Sequence, residues 1–327
     1  MTANGHQGNA LAELRARTAL RAAGLDPRAS LERASSVTNE VWMTASHVVR
    51  VNRRHDSRLA REATIAAVLP AGVGYPKIYA YGGRPGEDWL VVERVPGTPL
   101  AHRWPELTPS ERHQAVSQLA TRLRALHDTP APEALPPVNG GPQLLAVNVD
   151  DPTAPLRQAL TELGRLEHVE PLLAQEALDI VLATASALDP FVAPTLVHGD
   201  LTFENVLWHD GEVTAVLDIE WARAGPRDID LDIILRCCAY PKLHVSPVYE
   251  EATRQEDYAE VPGWLQEVYP RLFAYPRLME RLRLFAIAYE VRELLADPPT
   301  APAERLDTRH ALHRLARLVS RTSYLDA

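Results

Sequence analysis

The chain contains 327 residues, of which 46% are hydrophobic, so it is long enough for about two ordinary domains and can bury a substantial core. A disordered or fibrous protein is therefore not expected. Lysine and arginine together number 34, against 43 aspartate and glutamate residues, which gives a net charge of −9. Since a surface of this sign repels polyanions, we expect no nucleic-acid partner.

Cysteine usage and the chain's N-terminus predict a cytoplasmic protein. The two cysteines, Cys237 and Cys238, are adjacent, and this spacing neither closes a useful disulfide loop nor matches a structural zinc site. Residues 1–10 lack the basic cluster and the apolar segment of a signal peptide. We also expect no stretch to reach the roughly 18 to 20 apolar residues that a membrane span requires, and hence no membrane partner.

The N-terminal part of the sequence predicts a mixture of helices and strands. Four segments have the pattern of regular elements: a helix at 11–23, strands within 31–51, a helix at 58–69 and a buried strand at 89–95. Glu62 lies on the inward face of the second helix. Pro96 and Gly97 interrupt the last strand, so we place a boundary there between domains of residues 1–96 and 97–327.

Beyond this boundary the patterns are mostly helical. Thr108 and Glu111 form a capping-box pattern with Pro109 at the first helical position, and the helix that they begin should end near Pro130. The Pro- and Gly-rich residues 130–152 predict a long irregular connection. Helical periodicity then continues to the C-terminus, apart from one pair of strands near residue 210.

The strand pair carries the strongest local signal in the sequence. Asp210 and Gly211 separate two strand-like segments, and this dipeptide is the strongest short signal for a hairpin. If the loop consists of these two residues, Trp208 pairs with Val213. The register of the polar residues that flank the hairpin follows from this pairing.

This register predicts a site for a divalent cation. It places Asn205 opposite Val216 and on the same strand face as Asp218, about 7 to 8 Å away. An amide oxygen and a carboxylate form the hard, partly open ligand set that Mg²⁺ prefers when water and phosphate oxygens complete its shell. Asp200 should lie on the loop that enters the hairpin, where a carboxylate can accept a proton from a hydroxyl nucleophile without binding the metal.

The sequence His198-Gly199-Asp200, followed by Asn205 and then by Asp218, resembles the aminoglycoside phosphotransferase and choline kinase superfamily, the small-molecule relatives of protein kinases. The resemblance covers nearly the whole chain. It implies an α+β, two-lobed, protein-kinase-like fold with a small β-rich lobe and a larger, mostly helical lobe.

The resemblance also implies residue roles in the helical lobe. Asp200 matches the family's catalytic base, Asn205 and Asp218 match its metal ligands, and Asp230 matches its structural aspartate. Asp200 and Asn205 are therefore the candidate catalytic residues. His198 is expected to hold the loop by hydrogen bonds.

In the N-terminal lobe the resemblance implies a nucleotide site. Ser36 lies in the expected nucleotide-covering hairpin, Arg50 stands at the position of the phosphate-contacting lysine, and Glu62 is its helix partner. Glu93 to Val95 match the hinge that meets adenine through backbone groups.

The reaction implied is transfer of the γ-phosphoryl group of ATP, or of GTP, to a hydroxyl of a small molecule with the help of Mg²⁺. The acceptor stays open among an aminoglycoside, a macrolide, another antibiotic, a sugar, a choline-like amine and an endogenous metabolite. A monomer or a weak homodimer is expected.

Two departures from the family pattern keep alternatives open. Arg50 replaces the usual lysine, and Glu220 replaces a glycine after Asp218, where it could serve as a further metal ligand. These changes fit a catalytically silent, kinase-shaped module that binds nucleotide. A second alternative is an iron oxygenase, since His198 and Asp200 satisfy half of a facial triad, but that chemistry would require a β-rich scaffold.

Overall fold

The computed structural model describes residues 3–34, 39–137, 144–192 and 195–326. In these ranges the helices are α1 (Ala3–Ala22), α2 (Arg58–Ala66), α3 (Leu100–Arg103), α4 (Pro109–His127), α5 (Ala154–Leu163), α6 (Pro171–Thr184), α7 (Asp228–Ala239), α8 (Val261–Val268), α9 (Leu278–Ala296) and α10 (Ala311–Val319). The strands are β1 (Glu32–Ala34), β2 (Glu40–Met43), β3 (His47–Val51), β4 (Ile78–Gly82), β5 (Trp89–Glu93), β6 (Thr98–Pro99), β7 (Leu196–Val197), β8 (Val206–His209), β9 (Glu212–Val216) and β10 (Arg223–Ala224).

Strands β1 to β5 form one antiparallel sheet in the order β1-β2-β3-β5-β4. Its two faces bury alternate side chains of the same strand, as the pleat requires. Val91 packs with α1, while Leu90 and Val92 pack with Leu59 of α2. Burial on both faces explains the nearly continuous apolar run of β5, which ends at Glu93.

The first helix is longer than its sequence pattern predicts. It begins at Ala3 rather than at residue 11, because the polar residues at its start have no apolar stripe that would reveal a helix. Its C-terminal end agrees with the prediction. Gly24 adopts a left-handed conformation with φ 73°, and the amide of Leu25 bonds back to the carbonyl of Leu20 at 2.9 Å.

The C-terminal part is built mainly of helices around one large core. Helix α4 begins with the predicted capping box, in which Thr108 and Glu111 each accept a hydrogen bond from the other's backbone amide. Its inward residues, including Leu119 and Leu123, belong to a core shared with α5, α9 and α10. Two small antiparallel sheets, β6-β8-β9 and β7-β10, lie within this part of the chain.

One expectation about hydropathy was wrong. Residues 171–188 form a helical stretch of 18 residues that is long and apolar enough to cross a membrane, by length and composition. The stretch contains only two charged residues, Glu176 and Asp179. A single helix of this kind is weak evidence for a span, and α6 here contacts α5, α9 and α10 through an inward face that includes Ala177 and Val181.

The architecture confirms the predicted α+β class, with a β-sheet region followed by a helical region. The two regions are in contact, since α2 packs on the 3-10 helix Ile219–Trp221. The division into domains of residues 1–96 and 97–327 stays a prediction. The contact matters for the site, because it brings residues of α2 to the loop that follows β9.

Candidate active site

The loop after β7 is fixed by one buried carboxylate. Asp230, in the first turn of α7, accepts hydrogen bonds from the amides of His198 at 2.7 Å and Gly199 at 2.8 Å. It also lies 2.9 Å from Nε2 of His127. Burial alone would raise the pKa of Asp230, but the hydrogen bond and charge of His127 outweigh it and lower that pKa. Asp230 therefore stays ionised and holds the loop, in the structural role that the resemblance implies.

Gly199 is required by the shape of this loop. Its φ is 78°, and a Cβ added to it would lie 2.7 Å from the carbonyl oxygen of Trp221. A residue with a side chain would have to leave the left-handed region or displace the neighbouring backbone. The glycine thus lets the loop pass close to the segment that contains Trp221.

His198 has the structural role that the sequence predicts. Its ring is fully buried; Nε2 lies 2.9 Å from the carbonyl oxygen of Leu217, and Nδ1 accepts from the Asp200 amide at 3.3 Å. The imidazole therefore ties the loop to the end of the hairpin. The iron-oxygenase alternative required a β-rich scaffold, which the mainly helical C-terminal region does not provide.

Asp200 is a carboxylate with a raised pKa. Burial is the main cause and the Asp218 carboxylate adds to it, against the opposing charge of His198, and together they raise the pKa of Asp200 to about 6. The Asn205 side-chain amide donates to the Asp200 backbone carbonyl at 2.8 Å. This bond fixes the Asn205 side chain and leaves its amide oxygen available as an acceptor.

The hairpin has the predicted loop but a different register at its open end. Trp208 does pair with Val213. A register shift between Leu207 and Trp208 then places Val206, and not Asn205, opposite Val216. One extra residue in β9 accounts for the shift, because a β-bulge sets two residues of one strand against one residue of its partner.

The expectation that Asn205 and Asp218 share one strand face was therefore wrong. Asn205 ends the 3-10 helix Phe203–Asn205, and Asp218 follows β9 in a left-handed conformation with φ 58°. The amide of Leu217 donates to the Asn205 carbonyl at 2.8 Å, so the two segments still run side by side. The Asn205 side chain bonds to the backbone of Asp200, and the Asp218 carboxylate acts on the pKa of Asp200, so both residues lie near Asp200.

Three carboxylates meet around Arg50. Oxygen atoms of Glu62, Asp218 and Glu220 all lie within 4.8 Å of one another. Arg50 pairs with Glu62 through Nη1, while its Nη2 lies 3.2 Å from Asp218 and 3.5 Å from Glu220. Burial alone would lower the pKa of Arg50, but the surrounding carboxylates raise it. The predicted Arg50–Glu62 ion pair is thus present, and it is buried.

Two residues of this cluster were not predicted from the sequence. Tyr75 donates its hydroxyl hydrogen to Glu62 at 2.6 Å, and Arg58 bonds to Glu220 at 2.9 Å. Glu220 is fully buried; burial, with Asp218 next, raises its pKa to about 7. Arg58 begins α2, one turn before Glu62, so its helical spacing from Glu62 was the one available signal.

Two of the remaining predicted nucleotide residues, Glu93 and Val95, lie at and just beyond the end of β5. The Glu93 amide donates a hydrogen bond to the Lys77 carbonyl at 2.8 Å. Among the described residues, no backbone partner for the Val95 amide is found. Ser36 lies outside the described residues. The roles of these residues in binding a nucleotide stay predictions.

A cavity of about 690 Å³ opens beside the loop and includes Gly199 and Asp200 in its lining. Helix α7 contributes Asp232 and Arg236 to it, and α9 contributes Tyr289. The carboxylate of Asp200 is therefore accessible to a small molecule from the helical side.

The fold and the site together define a two-lobed protein of the kinase-like class. A family model described as the phosphotransferase enzyme family matches residues 30–264. Because this match spans more than half of the sequence, the chain belongs to that family, as the resemblance predicted.

Relatives and structural neighbours agree with this assignment. The chain is 30% identical over 167 residues to an aminoglycoside 3'-phosphotransferase of Streptomyces fradiae, over 50% of this chain and 58% of that one. It is 33% identical over 174 residues to a viomycin phosphotransferase of Streptomyces vinaceus, over 50% and 55% of the two chains. The chain thus spans somewhat more than half of the length of these relatives.

A solved structure resembles the chain over a greater length. A thermostable mutant of an aminoglycoside phosphotransferase, in ternary complex with ADP and hygromycin B, aligns with a TM-score of 0.58 at 15% identity. The alignment covers 93% of this chain and 97% of that one. At such low identity the similarity establishes the fold alone.

Proposed function

We propose that the protein is a small-molecule kinase that transfers the γ-phosphoryl group of ATP, or of GTP, to a hydroxyl of a small acceptor. The observation that carries the proposal is the environment of Asp200. This carboxylate has a raised pKa, lies on a loop held by Asp230, lines a cavity of acceptor size and stands beside Asn205 and Asp218. Membership in the phosphotransferase family and the ADP in a structural neighbour support it.

Asp200 acts as the proton acceptor in this proposal. A pKa of about 6 keeps the carboxylate ionised at neutral pH and close enough to neutrality to exchange a proton with the acceptor hydroxyl. The carboxylate also orients that hydroxyl toward the phosphate. In phosphoryl transfer the transition state is loose, so alignment and neutralisation of charge account for most of the catalysis.

Asn205 and Asp218 fit a magnesium ion by the chemistry of their donors. The Asn205 amide oxygen and the Asp218 carboxylate are hard oxygen ligands, and the Asp218 side chain is about one-third exposed, with room for further ligands. Bound Mg²⁺ would neutralise charge on the phosphates. Glu220 is held by Arg58 and Arg50, and we assign it to fixing these two arginines and not to the metal.

Arg50 would contact the phosphates of the nucleotide. Its guanidinium is held by the buried Glu62, which Tyr75 fixes in turn. A positioned guanidinium can bridge two phosphate oxygens through its fork of donors. Glu93 and Val95 at the end of the sheet would bind the rest of the nucleotide, together with Ser36, which the resemblance assigns to a nucleotide-covering hairpin.

The test compares the protein with its Asp200→Ala variant. A panel of hydroxylated compounds is screened for stimulated ADP release, and Mg·ATP binding is measured by calorimetry. We expect an acceptor that stimulates release with the wild type, a loss of turnover of about 10² to 10⁴-fold in the variant, and unchanged nucleotide binding. Asp179→Asn, on the exposed face of α6, is the matched control. Full activity in Asp200→Ala would remove Asp200 from its role.

A second candidate is the catalytically silent nucleotide-binding module, which one observation favours. Arg50 lies 3.2 Å from Asp218, so its guanidinium competes with a cation for the same carboxylate. Thermal unfolding distinguishes the two candidates when it is paired with turnover. Stabilisation by Mg·ATP without turnover of any acceptor in the panel would favour the silent module.

A further inference from the structure

The cavity beside Asp200 is rich in positive charge, although the protein as a whole is acidic. Four arginines line it: Arg61, Arg223, Arg236 and Arg292. Three carboxylates line it: Asp200, Asp232 and Glu293. The pairing among these groups decides which charges remain for a ligand.

Two of the arginines already have an ion-pair partner. Arg236 bonds to Asp232 at 2.7 Å and lies over the ring of Tyr289, 3.4 Å from its centroid. Arg292 pairs with Glu293 at 3.1 Å. Once these pairs are set aside, the cavity contains Asp200, which the proposed reaction uses, and two further cations, Arg61 and Arg223.

Arg61 is buried, and its contacts are to backbone carbonyls. It donates to the carbonyls of Pro136 at 2.8 Å and of Ala222 at 2.6 Å. Its Nε has no hydrogen-bond partner among the described residues. Arg223 makes only a long bond, 3.4 Å, to the carbonyl of Trp221. Both guanidiniums therefore retain donors for a ligand.

Neither Arg61 nor Arg223 forms an ion pair with a carboxylate in the described part of the chain. The residues outside the described ranges include no aspartate or glutamate side chain, so the sequence holds no further acidic partner for them there. A buried guanidinium such as that of Arg61 is costly without an ion-pair partner, and the cost falls when an anion binds.

Burial and neighbouring charges act on both arginines. Burial, and then the charge of Arg223, lowers the pKa of Arg61. Burial also lowers the pKa of Arg223, and Arg292 adds to that shift, while the charges of Asp230 and Asp200 oppose it without forming an ion pair. His244 lines the same cavity, and burial with the nearby Arg236 lowers its pKa to about 3, so its ring is neutral. The arginines thus act on one another as like charges in a desolvated space.

We propose that the acceptor is a hydroxylated small molecule that carries an oxyanion, a carboxylate or a phosphate, which Arg61 and Arg223 bind while the hydroxyl faces Asp200. This inference rests on the proposed kinase function and narrows its substrate class. Guanidinium groups suit such an anion because their parallel donors match its oxygens. Phe191 and Phe285 offer an apolar wall for the carbon skeleton.

The charge of this cavity does not suit an acceptor that carries several positive charges. An acceptor with several ammonium groups would meet two unpaired guanidiniums next to its reactive hydroxyl, and like charges in a desolvated site repel strongly. Binding such a polycationic acceptor would require unpaired carboxylates in the lining of the cavity. In this cavity Asp232 and Glu293 are already paired with arginines.

The first test uses simple anions. The full chain, saturated with Mg·ADP so that the nucleotide site is filled, is unfolded thermally in phosphate, acetate or chloride at equal ionic strength. We expect phosphate or acetate to raise Tm above the value in chloride, and Arg223→Gln to abolish the rise. Arg223 is the main variant because it makes one long contact, whereas Arg61→Gln loses two backbone bonds. Arg124→Gln, on the exposed face of α4, is the matched control and should retain the rise.

The second test uses one sugar ring with different charges. Calorimetry compares D-glucuronate and D-glucose 6-phosphate with neutral D-glucose and cationic D-glucosamine. We expect at least one anionic sugar to bind tenfold more tightly than glucose, about 1.4 kcal/mol, and the stronger of the two identifies the carboxylate or the phosphate as the preferred anion. Arg223→Gln should remove this preference.

The outcomes separate the two proposals. Absence of Mg-dependent nucleotide binding contradicts the kinase function itself. With nucleotide binding intact, the anion proposal is overturned by no anion-specific rise in Tm, by an equal rise in Arg223→Gln, or by equal or tighter binding of glucose or glucosamine.

Discussion

Replacing Asp200 by asparagine should stabilise the protein while it abolishes turnover. A carboxyl whose pKa rises from 3.8 in the unfolded chain to about 6 in the folded one costs about 3 kcal/mol of stability when it is ionised in both states. Asp200 is partly exposed in the cavity, so solvent screens part of this cost. We therefore expect Asp200→Asn to raise the free energy of unfolding by about 2 kcal/mol at pH 8. The neutral amide keeps the shape of the side chain and loses the buried charge.

The sign of this effect depends on pH. Between pH 4 and pH 6 the unfolded carboxyl is ionised and the folded one still holds its proton, so the wild type loses stability as pH rises through this range. The advantage of Asp200→Asn should therefore be absent below about pH 4 and complete above about pH 6. Turnover by the wild type should fall below pH 6, where Asp200 is protonated.

Urea unfolding of both proteins at several pH values from 4 to 8, followed by far-UV circular dichroism, measures the effect. Asp179→Asn, which removes an exposed carboxylate from α6, is the control and should follow the wild type. If Asp200→Asn and the wild type have the same difference in unfolding free energy at every pH, the carboxyl carries no raised pKa. The reasoning about its burial would then be wrong.

Other substitutions test the remaining parts of the site. Asp218→Ala should abolish the Mg²⁺-dependent part of nucleotide binding, as measured by calorimetry with and without the metal, because it removes a hard oxygen ligand. Gly199→Ala should lower Tm and turnover, because its φ of 78° is strained for alanine and the new Cβ would meet the Trp221 carbonyl. Gly263→Ala, in α8 with open space at the Cβ position, should leave Tm unchanged or raise it. Glu62→Gln should lower the free energy of unfolding by about 2 kcal/mol in urea, because Arg50 loses its charged partner and this loss exceeds the gain from removing a carboxylate whose pKa burial raises.

Each of these expectations has a result that contradicts it. Metal-dependent binding that survives in Asp218→Ala would remove this residue from the ligand set. Equal melting temperatures for Gly199→Ala and the wild type would show that the loop can relax around a side chain. An unchanged urea midpoint for Glu62→Gln would mean that its carboxylate contributes no net stability.

Local sequence signals predicted the elements that depend on neighbours in the chain. The Asp210-Gly211 turn set the pairing of Trp208 with Val213, because a two-residue loop brings the residues on its two sides opposite one another. Helix α4 begins at the position that the capping box predicts, because Thr108 and Glu111 are only three residues apart and bond to each other locally. The bulge that moves Asn205 out of the strand had no such signal, since it depends on how the hairpin end meets the surrounding loops.

The proposed catalytic positions were matched through resemblance, and their burial came from the fold. The spacing of His198, Gly199, Asp200 and Asn205 identified a kinase-like loop in the sequence, with Asp218 to follow. The hydrogen bonds of Asp230 to that loop could be found only when α7 was in place. The partners of Glu62 and Glu220 likewise come from distant segments.

The sequence by itself determined the family, the hairpin and the identity of the residues in the proposed reaction, because these depend on short spacings and local turns. Only the tertiary structure decided the charge of the cavity beside Asp200. Arg61 comes from α2 and Arg223 from β10, more than 160 positions apart in the chain. Whether a guanidinium has a counterion depends on which groups the fold brings within ion-pair distance, and no linear pattern records that distance.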